Sequence, residues 1–342
     1  MRPFQFTRAD DAKAAILAYQ ADGSAAEGGA VNAPSQYLAG GTTLIDLMKL
    51  DVMRPSRLID INGLQNSGLN RIELESNGLR LGAMVRMSDA AGHEDVQKHF
   101  PVIAQALQLG ASAQLRNMAS LGGNVLQRTR CTYFRDTSYG NCNKRNPGSG
   151  CAALDGINRS HAVLGTSGQC IATYPGDFGQ ALIALDANVE VTGPKGQRQL
   201  AFAALHRPPG ETPNIETTLM PGELITAFRV PATAFARRSL YLKIRDRQSY
   251  EFALASAAVA LDLDGDTVKD VRIALGGVAT TPWRAGEAEM LLKGKKLDSP
   301  TAAAAADAAF AQASPHQHNS FKIELGKRTL IRALRQAAEM TI

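Results

Sequence analysis

The chain carries four cysteines, Cys131, Cys142, Cys151 and Cys170, and all of them fall inside a 40-residue window of 342 residues. A free cysteine behaves as a small buried hydrophobe, so packing alone would scatter four of them over several helices and strands. These lie instead in RTRCTYFRDTSYGNCNKRNPGSGC and its continuation to CIATYPGD, a stretch rich in Arg, Asn, Lys, Gly and Pro. Such a composition cannot build a core by itself, so something other than hydrophobic burial must order it. Two disulfides could, and so could a metal centre held by thiolates. The spacings of ten, eight and eighteen intervening residues match neither the paired C-x2-C knuckles of structural zinc nor the short ferredoxin pattern. On spacing alone an iron-sulfur cluster, zinc, disulfides and unlinked thiols stay open. His161, in the same window, reads as a surface or hydrogen-bonded imidazole rather than a ligand.

The window follows a glycine turn, Gly122-Gly123-Asn124 in LRNMASLGGNV, and an earlier one, Gly40-Gly41-Thr42-Thr43, lies between a strand ending at Ala39 and a helix through Leu50. Glycines let a backbone approach a ligand closely, and N–H groups opening a helix face an anion. Two such loops suggest a ligand with two phosphates gripped from two places. The G-x-G-x-x-G run followed by an acidic residue about 20 positions on is missing, which disfavours a Rossmann domain.

The length predicts two or three domains. With 44% hydrophobic and 20% charged residues the chain has no disorder signature. The net charge of +5 is small and dispersed; only Arg128, Arg130, Arg135, Lys144 and Arg145 cluster, which argues against a nucleic-acid partner. MRPFQFTRADDAKAA has no apolar signal core and no run approaches a membrane span. A cytoplasmic protein is therefore expected, or one carried to the periplasm by a partner. Helical spacing predicts a surface helix over 8–21, then a small, polar, flexible loop over 23–34 and a short strand over 58–61. A hairpin turning at Asn77-Gly78, helices over 88–97, 102–109 and 177–185, a hairpin over 189–200 and a strand over 223–230 follow. From about residue 236, a strand, a long hairpin turning near Asp264-Gly265 and three helices (284–292, 301–313, 321–340) read as an α+β domain with its own core.

LAGGTTLIDLMK at 38–49 and LRNMASLGGNV at 115–125 resemble the two pyrophosphate loops of the FAD-binding medium subunits of molybdenum hydroxylases, the xanthine dehydrogenase and carbon monoxide dehydrogenase family. The resemblance spans the chain and implies an α+β protein. A vanillyl-alcohol-oxidase (PCMH) type FAD-binding domain would cover 1–235, as two α/β subdomains of about 1–58 and 59–235. A carbon monoxide dehydrogenase flavoprotein-like domain would cover 236–342. Most members run from the glycine loop straight to the segment of Asp177, whereas here residues of about 127–172 are inserted. TRC, CNKR, PGSGCAAL and CIAT resemble the FAD subunits of aldehyde oxidoreductases that carry an additional [4Fe-4S] cluster, and this resemblance implies that Cys131, Cys142, Cys151 and Cys170 are its ligands.

The same resemblance implies that Leu38, Ala39, Gly40, Gly41, Thr42, Thr43 and Leu44 wrap the pyrophosphate and ribityl chain of FAD. Gly110 and Ala111 would line the flavin ring, and Ala119, Ser120, Gly123 and Asn124 would form the second phosphate loop. Asp177 would accept from ligand hydroxyls, Ile225 would make an apolar contact, and Lys243 would sit near the pyrimidine edge. From the residues alone, Asp177 also reads as a helix N-cap and Lys243 as part of a solvated strand face. The implied function is electron transfer, from a molybdenum-cofactor large subunit and a [2Fe-2S] small subunit through FAD to an external acceptor. The assembly would be an aldehyde oxidoreductase heterotrimer. A xanthine dehydrogenase or 4-hydroxybenzoyl-CoA reductase type subunit and a stand-alone FAD oxidase are the alternatives. No catalytic acid, base or nucleophile is expected in this chain.

Overall fold

The computed structural model describes residues 1–21, 29 and 31–342, with the side chains of 65–67 outside the description. Most of the polar loop expected over 23–34 lies outside the described residues. Strands β1 (Gln5–Arg8), β2 (Ser35–Leu38) and β3 (Arg57–Asp60) form a parallel sheet in the order β1-β3-β2, with helices α1 (Ala12–Gln20) and α2 (Leu44–Lys49) in the connections. Helix α1 starts later than the helical spacing suggests, because Asp11 caps it by accepting from the Ala14 N–H and Arg8 pairs with Asp60 in the sheet.

A second, antiparallel sheet has the order β4-β5-β8-β6-β7, from β4 (Ile72–Glu75), β5 (Gly78–Gly82), β6 (Asn188–Gly193), β7 (Gly196–Ala201) and β8 (Leu224–Pro231). Glu75 pairs with Gly78, so the hairpin turns on Ser76-Asn77, one residue before the expected Asn77-Gly78. Between β5 and β6 lie α3 (Met87–Gly92), α4 (Glu94–His99), α5 (Pro101–Leu109), α6 (Ala113–Met118), α7 (Leu121–Val125), α8 (Thr132–Arg135) and α9 (Phe178–Ala184). The helix expected over 88–97 is two, because His93 after Gly92 takes an extended conformation. Gly122-Gly123-Asn124 is wound into α7 rather than an open turn, with the Ser120 hydroxyl accepting from the Gly123 N–H at 3.2 Å.

A third antiparallel sheet, β12-β11-β10-β9, joins β9 (Ser239–Ile244), β10 (Ala255–Asp264), β11 (Thr267–Gly276) and β12 (Trp283–Arg284), followed by α10 (Gly286–Leu292), α11 (Ser299–Ala309) and α12 (Phe321–Ala338). Side chains alternate across a strand, and β10 uses both faces. Ala258 and Ala260 join the core of α5, α9 and the second sheet, while Ala257, Val259 and Leu261 join that of α11 and α12. The run ASAAVAL is alanine-rich because helices press on both sides. The C-terminal sheet therefore packs a core of its own with α10, α11 and α12 on one face and adds Ala258, Ala260 and Ala274 to the core of the preceding sheet on the other. Among the described residues no helix is long and apolar enough to cross a membrane.

The cysteine insertion borrows its core. Cys131, Tyr133, Phe134, Cys142, Cys170 and Ile171 pack with Leu47, Met48, Val52, Met53 and Leu58 around α2, and Val163 and Leu164 join the C-terminal core. Two buried cations satisfy its main-chain carbonyls. Arg145 donates to the carbonyls of Tyr133 (2.8 Å), Phe134 (2.7 Å), Asp136 (3.3 Å) and Tyr139. Lys322 of α12 donates to those of Ser160 (3.0 Å), His161 (3.0 Å) and Gly277 (2.6 Å).

His206 lies where the insertion begins, its Nε2 2.9 Å from the Val125 carbonyl oxygen and its ring against Tyr174 and Phe202. Burial pushes it down to about 4, outweighing the Val125 carbonyl and Glu216, which pull the other way. Between about pH 6.5 and 4 the unfolded chain thus takes up a proton that the folded chain refuses, and stability falls as pH falls, by about 3 kcal/mol. Urea unfolding at pH 7 and at the acid end of that window is expected to show this loss, and His206→Gln to shrink it. Equal pH dependence in the two proteins would refute the assignment.

Candidate cofactor site

The two glycine loops touch. A Cβ on Gly40 would stand 2.0 Å from the Met118 carbonyl oxygen, and Gly41 adopts φ +73°, so neither tolerates a side chain. Arg86 donates to the Met118 carbonyl at 2.6 Å and to Asn62 Oδ1 at 3.1 Å, and Asn62 donates to the Ala39 carbonyl at 3.0 Å. This side-chain bridge fixes the separation of the loops. They wall a cavity of about 500 Å3, with Ala39, Gly40, Gly41, Thr42, Thr43 and Leu44 on the first loop and Ala119, Ser120, Gly122 and Gly123 on the second. Ile225 and most of residues 214–224 also line it, as do Tyr19 and Tyr37, whose ring centroids are 5.2 Å apart. Tyr37 donates to the Gly222 carbonyl at 2.9 Å, and burial raises its pKa.

Gly110, Asp177 and Lys243 come together in a second cluster that does not line this cavity. Lys243, with its side chain 1% exposed, donates to Asp177 Oδ2 at 2.8 Å and to the Leu109 carbonyl at 3.1 Å. Tyr241 donates to Asp177 Oδ1 at 2.6 Å. A Cβ on Gly110 would lie 3.4 Å from Asp177 Oδ2 and 3.2 Å from Met87 Cε. Ala111 beside it holds φ +50°, a left-handed conformation costing about 1–2 kcal/mol in a residue with a Cβ. Asn124 reaches Met87 Sδ at 3.2 Å through Nδ2, while its buried Oδ1 has no partner. Asp177 does stand at the N-cap of α9, but its side chain makes no capping bond; Lys243 is no solvated strand face. Leu38 packs beside α2.

The four cysteines line one pocket of about 10 Å3 with Tyr133, Phe134, Asn143 and Lys144, and all are free thiols. Burial pushes Cys131 up to about 12. Cys170 donates to Cys151, which lowers Cys151 to about 6 and raises Cys170. His161 is buried, its Nε2 3.2 Å from Cys131 Sγ, and burial lowers it to about 4. Among the described residues no three or more His, Cys, Asp or Glu are arranged to hold a single metal ion.

Arg86, Asn62, Arg128 and Glu216, which shape the cavity, carry no motif; each is a polar residue whose partner lies far along the chain. Two glycine loops thus close on one cavity within a three-sheet α+β scaffold. A model of the FAD binding domain in molybdopterin dehydrogenase matches residues 2–233, and one of the CO dehydrogenase flavoprotein C-terminal domain matches residues 240–337. The chain belongs to this family of FAD-binding subunits of molybdenum hydroxylases. It is 47% identical over 340 residues to the aldehyde oxidoreductase FAD-binding subunit PaoB of Escherichia coli (strain K12), covering 98% of this chain and 99% of that one. It is 29% identical over 287 residues to the carbon monoxide dehydrogenase medium chain of Hydrogenophaga pseudoflava, covering 84% and 82%. The structure of reconstituted CO dehydrogenase from Oligotropha carboxidovorans matches with a TM-score of 0.75 and 25% identity over 100% of both chains. These relatives are oxidoreductase subunits, and so is this chain.

Proposed function

We propose that the chain is the FAD- and [4Fe-4S]-carrying electron-transfer subunit of a molybdenum-dependent aldehyde oxidoreductase, assembled with a molybdenum-cofactor large subunit and a [2Fe-2S] small subunit. The observation that carries the reading is the closeness of two pockets in one chain. Arg128 lines the large cavity and holds its guanidinium 5.4 Å from the ring of Phe134, which lines the cysteine pocket. Glu216 of the large cavity meets Lys144 of the cysteine pocket at 2.8 Å. One layer of side chains separates them.

When bound, FAD supplies one- or two-electron chemistry and an iron-sulfur cluster single-electron steps. The fit of the large cavity to a dinucleotide rests on its glycine walls, where Cβ atoms would intrude, and on its volume. Leu38–Leu44, with Ala119, Ser120, Gly123 and Asn124, would hold the pyrophosphate and ribityl chain. Ile225, on the cavity wall, would bound the ring system, whereas Gly110, Ala111, Asp177 and Lys243 belong to the separate cluster and would meet the ring only where it extends beyond the cavity. Four thiols with no carboxylate among them are the donor set of an iron-sulfur cluster. The buried Lys144 and Arg145 favour the charged form of Cys170 and Cys142 respectively, which suits thiolate ligands.

The purified assembly is expected to show flavin absorption and a broad shoulder bleached by dithionite. Cys142→Ser should lower iron and acid-labile sulfide by about four per chain while FAD stays mostly bound. Iron unchanged by Cys142→Ser would remove the cluster assignment, and a wild-type assembly without flavin would remove the whole reading.

A further inference from the structure

His161 lies within the cysteine insertion, is 3% exposed, and brings its Nε2 to 3.2 Å from Cys131 Sγ. Its Nδ1 is sealed from solvent and has no hydrogen-bond partner, so the imidazole spends its polar contact on the sulfur. The main chain fixes the ring in place. The His161 N–H donates to the Asn158 carbonyl at 3.0 Å, and the His161 carbonyl accepts from Lys322 Nζ at 3.0 Å and from Asn319 Nδ2 at 3.4 Å. Helix α12, which carries Lys322, thus anchors the imidazole against the thiol, with the Tyr133 ring 6.1 Å away between centroids. Main-chain N–H groups face the sulfurs as well, that of Ala172 lying 3.4 Å from Cys170 Sγ. An amide donor survives almost any substitution, whereas the donor of His161 belongs to its side chain. A thiol and an imidazole can share a hydrogen bond in either direction. A sulfur bound to iron carries no proton, so beside a ligated Cys131 this contact holds only with Nε2 as the donor.

We infer that His161 donates its Nε2–H to the Cys131 sulfur of the bound cluster and thereby raises the reduction potential of that cluster. The inference rests on the cluster reading above. A reduced cluster carries one more negative charge than an oxidised one, part of it on the cysteine sulfurs. A donor at sulfur therefore stabilises the reduced form more, and hydrogen bonds to sulfur are among the levers that set such potentials. Removing the donor makes the cluster harder to reduce.

The test uses the purified assembly, with the cluster followed by EPR through a redox titration. His161→Leu occupies the place of the ring without a donor, and His161→Gln returns an N–H close to the position of Nε2. Both are expected to keep about four iron atoms per chain. In His161→Leu the ratio of reduced to oxidised cluster at a fixed potential should fall about tenfold, which is about 59 mV for a one-electron couple. In His161→Gln the midpoint should return toward that of the wild type. A packing effect would move the two variants alike, so equal shifts in both, or a wild-type midpoint in His161→Leu, would overturn the inference. If His161→Leu loses its cluster, the wild type decides: with isotope-labelled histidine, pulsed EPR of the reduced cluster is expected to show coupling to a histidine nitrogen, and its absence would refute the contact. A wild-type assembly with no iron-sulfur signal and no acid-labile sulfide would mark the failure of the cluster reading itself rather than of His161 alone.

Discussion

Gly40→Val is expected to yield protein that retains essentially no FAD. The added Cβ would stand 2.0 Å from the Met118 carbonyl oxygen, 2.7 Å from its carbon and 3.2 Å from Ala119 Cα. All three are backbone atoms, so no side-chain rotation relieves the clash, and the two loops must separate. Overpacking a fitted site costs about 1–3 kcal/mol even where side chains can adjust; here the adjustment falls on the cavity walls. Arg86 and Asn62, which bridge Met118 to Ala39, would lose their geometry together. Gly92→Ala is the control, since nothing lies within 4 Å of a Cβ there. The flavin-to-protein absorbance ratio decides: a near-zero ratio for Gly40→Val beside a wild-type ratio for the control is expected. Wild-type flavin content in Gly40→Val would show that these loops do not define the site.

The first glycine loop was legible because its signal is local, whereas the second, expected as a turn, is helical. Gly40-Gly41 follows a strand and precedes a helix, and the turn needs no distant partner to be recognised. Strand β1 was not legible: Gln5–Arg8 is exposed along its length and lacks alternation, so only its parallel pairing with β3 defines it. Arg86 is invisible in sequence for a related reason. It reads as a solvated charge, and its partners Asn62 and Met118 lie 24 and 32 residues away. Asp177 and Lys243 each admitted an ordinary surface reading, and only their mutual 2.8 Å contact under 8% and 1% side-chain exposure excludes it. The insertion was read as unable to build a core. That holds for its own residues, but Leu47, Met48 and Leu58 on one side and the C-terminal core on the other supply what it lacks.

Arg145→Met is expected to destabilise the insertion by about 2–5 kcal/mol, about 1–3 for each buried carbonyl left without a donor. Arg145 is 6% exposed and has carbonyls rather than a carboxylate around it, so the loss leaves the buried acceptors of Tyr133 and Phe134, and the half-buried ones of Asp136 and Tyr139, without this donor. Those carbonyls lie between Cys131 and Cys142, so the thiols lose their common pocket. The damage should also travel. Arg130 and Arg135, beside the same cage, hold Asp46 of α2 at 3.3 and 2.9 Å, and α2 begins where the first glycine loop ends. Cys142→Ser leaves the carbonyl cage standing and should spare FAD, whereas Arg145→Met should lower both iron and flavin content. Limited proteolysis is expected to cut the variant between residues 131 and 170 well before the wild type, and Arg145→Lys, with charge but no fork, should fall between. Arg145→Met that resists protease like wild type would show that the insertion does not depend on this cage.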